Sequence, residues 1–262
     1  MSARNSILYS AGVACLFVLA LALYGGSLRN PPVFDDGLLT EAFLREYGHS
    51  WFRLDLRWFA YASLGWTYDA FGYDGFWLRL GNVLLHAATA AALFVFLVRL
   101  FGAVLEGAEP EGRRRTLAFC GAMLFLVHPV AVYGVAYLIE RSIITATLFS
   151  LLSLSLFLEG LLRGSRRWFV AAAAAYFVAV FSKEHAVALP AVAGVLAVLV
   201  RGASWKLARQ LVLPFALYAV VAVLVASKQK GLLGALYEPF AATAMRQLEQ
   251  AEHGARQAGT ES

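Results

Sequence analysis

Charge is scarce in this chain. Of its 262 residues only 15% are Asp, Glu, Lys or Arg, whereas 60% are hydrophobic, and the mean hydropathy is +0.66. So few charges cannot cover the surface of an ordinary soluble domain, which excludes that class and makes this an all-α integral membrane protein by expectation. Cysteine is nearly absent. Cys15 and Cys120 lie inside apolar runs, where a thiol acts as a small hydrophobe, so neither a disulfide nor a metal cluster is expected. Acidic residues are outnumbered, 17 against 22 basic ones, for a formal charge of +5. The basic residues fall in short clusters between apolar runs, as topology determinants do, and no nucleic-acid partner is expected.

What is abundant is apolar sequence in lengths suited to a bilayer about 30 Å thick. About seven runs qualify: Ile7 to Tyr24, Leu80 to Leu100, Leu117 to Val135, Ile143 to Leu162, Trp168 to Phe181, Ala186 to Val200 and Leu211 to Ala226. The first is longer than a signal-peptide core and lacks a small-residue cleavage site, so it reads as a retained span. The fifth and sixth are short and are separated by Ser182-Lys183-Glu184-His185. One continuous helix would hold four polar residues at mid-membrane, so a tight hairpin is expected instead. These runs define a polytopic domain over 1–226 and a polar tail over 227–262, within which Glu238 to Gln257 reads as an amphipathic or frayed helix with no assigned role.

Basic residues orient the model. Arg4, Arg99 with Arg113-Arg114-Arg115, Arg163 with Arg166-Arg167, and Arg201, Lys206 and Arg209 fall on one side of a seven-span chain, which is then the cytoplasm of a cell with an inner membrane. The unusual polar groups fall on the other side. They are Asp35-Asp36 in Asn30-Pro31-Pro32-Val33-Phe34-Asp35-Asp36-Gly37, His128-Pro129-Val130, Glu140-Arg141, and Ser182 to His185. A solvated turn accounts for Asp-Asp after Pro-Pro taken alone. Convergence of four costly clusters on one face points instead to a cavity and a substrate path.

The single long outer loop, about 25–78, is dense in aromatics: Trp51, Phe52, Trp58, Phe59, Trp66, Tyr68, Phe71, Tyr73, Phe76 and Trp77. Such rings settle at headgroup depth, and Leu56 to Phe71 suits one or two helices lying in the interface, as anchors or as a lid over a lipid-borne substrate. In the second span Arg79, Asn82 and His86 share one helix face, and each needs a partner in lipid.

Phe34-Asp35-Asp36, the Arg57 to Gly72 stretch, Asn82 with His86, His128-Pro129-Val130 followed by Arg141, and Ser182-Lys183-Glu184 with Pro190 resemble, in order and spacing, the membrane half of O-mannosyltransferase-like proteins with tetratricopeptide repeats. Those are C-type glycosyltransferases, and the resemblance covers about Phe34 to Pro190. It implies a seven-helix core, an aspartate in the first outer loop as base, and a polyprenyl-phosphate sugar as donor to an extracytoplasmic protein or envelope glycan. A carboxylate can take the acceptor proton, and the leaving phosphate needs positive charge. Asp35 is thus the expected base and Asp36 its helper. Arg57, His86, His128, Arg141 and Lys183 are expected on the phosphate side, with Asn82, Glu140 and Glu184 in support. No metal site is assigned and no cofactor is expected, a divalent metal being left open.

The departures are specific. A glutamate common in the family is Tyr133 here, a glycine is Glu140 and a histidine is Arg79. The further helices and repeats of the family do not follow, so another membrane subunit is expected to recognise the acceptor, or else the chain is a non-catalytic accessory that keeps the core and binds lipid. A transporter is the weakest reading, because no inverted repeat or matching pair of interrupted helices is present.

Overall fold

The computed structural model describes residues 3–50 and 52–227. It therefore leaves out Trp51 and the polar tail with its expected helix. Among the described residues every regular element is helical. The chain divides into two compact units, Met1–Ala222 and Val223–Ser262, the second described only as far as Ser227.

Among the described residues ten α-helices follow one another: α1 Ala3–Tyr24, α2 Glu41–Gly48, α3 Trp58–Phe71, α4 Gly75–Val104, α5 Glu111–Val127, α6 Ala131–Ala136, α7 Arg141–Arg163, α8 Arg166–Ser182, α9 Leu189–Arg201 and α10 Trp205–Ser227. Among the described residues five segments are long and apolar enough to cross a membrane: Ile7–Ser27, Gly75–Val104, Leu138–Arg163, Glu184–Arg201 and Trp205–Ser227. At 17 residues each, α5 and α8 stand at the short end of spanning lengths. Large apolar side chains point outward along these helices, with Leu124 69% and Val195 71% exposed. That is tolerable in lipid and costly in water. Cys15 and Cys120 are free thiols, also on outer faces.

α4 and α7 form the spine: α4 packs on α1, α5 and α7, and α7 packs on α8. Small residues allow the closest approaches. A Cβ at Gly160 of α7 would stand 2.6 Å from the Phe169 ring of α8, and Ser153 Oγ donates to the Ala172 carbonyl over 2.8 Å. This is the packing expected between helices that have no hydrophobic driving force in lipid.

Three boundaries differ from the sequence expectation. The third span does not run to Val135. α5 stops at Val127, because Pro129 cannot continue the ladder and restricts His128 before it; α6 then starts anew at Ala131. The run expected from Ala186 lies within the apolar segment Glu184–Arg201, but its start is a 3-10 turn, Glu184–Ala188, and its α-helical part begins at Leu189. The loop over 25–78 carries α3, where interfacial helices are expected, and, in addition, α2. α2 crosses α3 at two glycines, where a Cβ on Gly65 would lie 2.3 Å from the Gly48 amide nitrogen.

Candidate functional site

The Asp35-Asp36 pair is shaped by its own sequence. Pro31-Pro32 leads into an extended Val33, and Phe34 then takes φ +47, an uncommon conformation for a bulky residue, to start the 3-10 turn Phe34–Leu38. The turn is held by Asp36, whose Oδ2 accepts from the Val33 amide at 3.3 Å and whose Oδ1 accepts from the Ile139 amide at 3.1 Å. Asp36 is buried. Burial pushes its carboxyl above the ordinary range, against the pull of those two amides and of Arg79. It was expected to help with the acceptor, and it occupies a bracing position.

Asp35 is the exposed member of the pair. Its amide donates to the Tyr137 hydroxyl over 2.9 Å. Burial and the Asp35 carboxylate together hold the Tyr137 phenol above its ordinary pKa. The Asp35 side chain thus faces solvent beside a phenol, while its backbone is pinned.

Beyond Tyr137 a band of charges follows. Glu140 accepts from the Tyr133 hydroxyl at 3.3 Å and from Lys183 Nζ at 3.1 Å. Glu184, next to Lys183, pairs with Arg57 Nη2 at 3.0 Å. Arg57 adopts φ +66 to enter α3. Burial alone would depress its pKa, but its bonds to Glu184 and Tyr61 outweigh that and hold it well above the ordinary value. The Nε of Arg57 and the Oε2 of Glu184 are buried with no partner among the described residues.

His86 and His128 sit elsewhere, in the wall of an apolar cavity of about 420 Å³ bounded by residues of α4, α5, α6 and α7. His86 Nε2 lies 3.1 Å from the Leu126 carbonyl, and because a carbonyl only accepts, Nε2 carries the proton. His128 Nδ1 accepts from the Val130 amide at 3.2 Å. Tyr133 also lines this cavity and donates to Glu140, so the apolar slot and the charged band meet at one side chain.

Arg141 and Asn82 form a third group. Arg141 donates to the Asn82 side-chain oxygen, to the carbonyls of Ser63 and Leu78 and to the Thr67 hydroxyl, over 2.6 to 3.1 Å. The Asn82 amide group reaches back to the carbonyls of Val135 and Tyr137. Together they tie α3, α4 and α7 and the strand of chain that presents Tyr137.

Of the expected site residues, then, Asp35, Glu140, Lys183, Glu184 and Arg57 form one polar band, His86 and His128 line the adjoining apolar cavity, and Asp36, Asn82 and Arg141 are interior braces. Tyr137 was not foreseen, and Tyr133 stood out only as a departure from a pattern. Their spacing of four on the stretch between His128 and Glu140 was the available signal. Among the described residues no group of three or more His, Cys, Asp and Glu is placed to hold a metal ion. No family model, curated protein or solved structure matches the chain.

Proposed function

We propose that this chain is a C-type membrane glycosyltransferase that moves a sugar from a polyprenyl phosphate to a hydroxyl of an extracytoplasmic protein or envelope glycan. One observation carries the reading: a solvent-facing carboxylate, Asp35, held by buried neighbours beside a charged band that adjoins an apolar cavity at Tyr133. A lipid-linked donor needs an apolar place for its tail, a cation for its phosphate and a base for the acceptor, in that sequence of surfaces.

In this reading the acceptor oxygen gives its proton to Asp35 and bonds to the anomeric carbon. The bond from that carbon to the phosphate oxygen breaks, and the polyprenyl phosphate leaves with the electron pair. Lys183 and Arg57 supply positive charge at the departing oxygens. α5 and α8 act as spans beside the five longer segments, giving seven, with the N-terminus in the cytoplasm of a cell with an inner membrane and Asp35 on the outer face. The arginine clusters support this orientation.

A second reading has its own support. Lys183 and Arg57 are each engaged by a carboxylate, Glu140 and Glu184, which suits an accessory protein that keeps the core and binds lipid without catalysis. The deciding measurement is glycan product per folded protein in a deletion strain complemented with Asp35→Asn. A general base contributes about 10²- to 10⁴-fold to rate, so the enzyme reading expects nearly all product to be lost at normal protein levels. Full product at normal levels would overturn it.

A further inference from the structure

At the start of α4 lies a cavity of about 700 Å³ lined by Arg29, Pro31, Asp74, Trp77, Arg79 and Leu138, among others. None of Asp35, Glu140, Lys183, Glu184 or Arg57 lines it. Arg79 is only 2% exposed. Its Nη2 donates to the Pro31 carbonyl over 2.8 Å, whereas its Nε has no partner among the described residues. Its Nη1 lies against the first turn of α4, 3.0 Å from where a Cβ on Gly75 would be, and forms no hydrogen bond among those residues. Asp36 attracts the guanidinium, but both carboxylate oxygens of Asp36 are occupied by backbone amides, and no ion pair joins the two among the described residues. The buried guanidinium thus has a carboxylate nearby but none bonded to it, a shortfall that an oxyanion from outside the chain would make good.

Three further features converge on the same place. The guanidinium of Arg29 stands over the Phe76 ring, 5.9 Å from its centre, and is otherwise exposed. In the first turn of this 30-residue helix, the Phe76 amide is capped by Asp74 Oδ1 at 2.8 Å and the Leu78 amide reaches the Asp74 carbonyl at 3.3 Å. The amides of Gly75 and Trp77 have no acceptor among the described residues, and such a turn carries a partial positive charge. Two guanidiniums against the one carboxylate of Asp74 leave the lining net positive. Tyr73, Phe76 and Trp77 give it aromatic walls.

We infer that this cavity is an oxyanion site that takes the phosphate ester of a ligand, with Arg79 as its buried anchor, Arg29 as its outer clamp and the α4 amides as neutral donors. Two sources could bring such a group: the headgroup of an anionic lipid, since α4 is apolar enough to enter a membrane from here, or a soluble phosphate ester.

Both sources can be tested on the purified full chain in a neutral detergent, at constant ionic strength, by calorimetric titration. The probes are dioctanoyl phosphatidylglycerol, glycerol 1-phosphate, and dioctanoyl phosphatidylcholine as the zwitterionic control. Saturable binding of phosphatidylglycerol alone supports a headgroup site, and binding of glycerol 1-phosphate as well supports a site for the phosphate itself. Either binding should weaken about tenfold or more in Arg79→Gln, as for loss of a buried charge, and by a smaller factor in Arg29→Gln. Arg29 is exposed, so its variant keeps the test open if Arg79→Gln fails to fold. No saturable binding of either anionic probe, equal binding of phosphatidylcholine, or unchanged affinity in Arg29→Gln together with any folded Arg79→Gln, would overturn the inference.

Discussion

Arg141 Nε donates to the side-chain oxygen of Asn82 over 2.7 Å at a point where both residues are buried. The bond crosses from α7 to α4, and the same guanidinium holds the Ser63 carbonyl and the Thr67 hydroxyl of α3. Three helices therefore depend on one cation that no carboxylate neutralises among the described residues.

Removing that cation should cost stability first. Arg141→Ala strands the Asn82 side-chain oxygen, at about 1–3 kcal/mol for a buried unsatisfied group, and removes the bonds to the Ser63 and Leu78 carbonyls, of which Ser63 keeps its bond from the Thr67 hydroxyl. A lysine cannot replace it, because one ammonium lacks the planar fork that reaches four acceptors. Gly81 belongs to the same joint, since a Cβ there would stand 2.6 Å from Arg141 Nη2. Arg141→Ala, Arg141→Lys and Gly81→Ala should all lower the amount of detergent-stable protein. Polyprenyl-phosphate binding per folded molecule should stay near wild type. Loss of lipid binding with normal stability would instead make Arg141 a phosphate ligand.

Asp36 gives a pH test. Burial raises its carboxyl above the ordinary 3.8, so the folded chain holds that proton more tightly than the unfolded chain. Its contribution to stability is then complete below the ordinary value and is lost as pH rises through the folded value. The thermal midpoint of wild type minus that of Asp36→Asn should therefore increase as pH falls from 7 to 4. A difference that shrinks over this interval would mean that the amides of Val33 and Ile139 dominate and hold the group ionised.

Orientation can be measured on a background lacking Cys15 and Cys120. At Gly37 and at Gly112 an added side chain meets nothing within 4 Å, so a cysteine at either should leave the fold intact. The one at 37 should react with a membrane-impermeant thiol reagent in intact cells, and the one at 112 only after permeabilisation. The reverse pattern would put Asp35 in the cytoplasm and remove the proposed reaction with it.

The long helices were legible because hydropathy averages over a whole span, and α4 and α7 lie close to where their apolar runs put them. The same averaging concealed the stop at Val127, since Pro129 is embedded in apolar neighbours. It also passed over α2, whose sequence from Glu41 to Gly48 is short and half polar. In the polar clusters, residue type indicated which positions are unusual but could not separate their tasks. Arg141 and Lys183 read alike as basic residues beside apolar runs. Only packing shows one buried among carbonyls and the other paired to Glu140. Asp35 and Asp36 are likewise adjacent, and which of them faces outward follows from the positive φ of Phe34, which no composition predicts.

The Lys183–Glu140 pair separates enzyme from accessory. Lys183 Nζ lies 3.1 Å from Glu140 Oε2, and their side chains are 15% and 13% exposed. If Lys183 receives a lipid phosphate, Glu140 competes with that phosphate for the same ammonium. Glu140→Gln removes the competing charge while the amide oxygen can still accept from Tyr133, so polyprenyl-phosphate binding should tighten. Lys183→Ala removes the cation and should weaken binding by about 2–5 kcal/mol, the range for truncating one partner of a buried charge pair. The double variant should resemble Lys183→Ala, because Glu140 acts on the lipid only through the lysine. A purely structural pair behaves otherwise: each single change lowers stability and neither moves lipid affinity. Titration of a short-chain polyprenyl phosphate against the three variants, each alongside its thermal midpoint, distinguishes the two, and unchanged affinity in all three would remove Lys183 from the donor site.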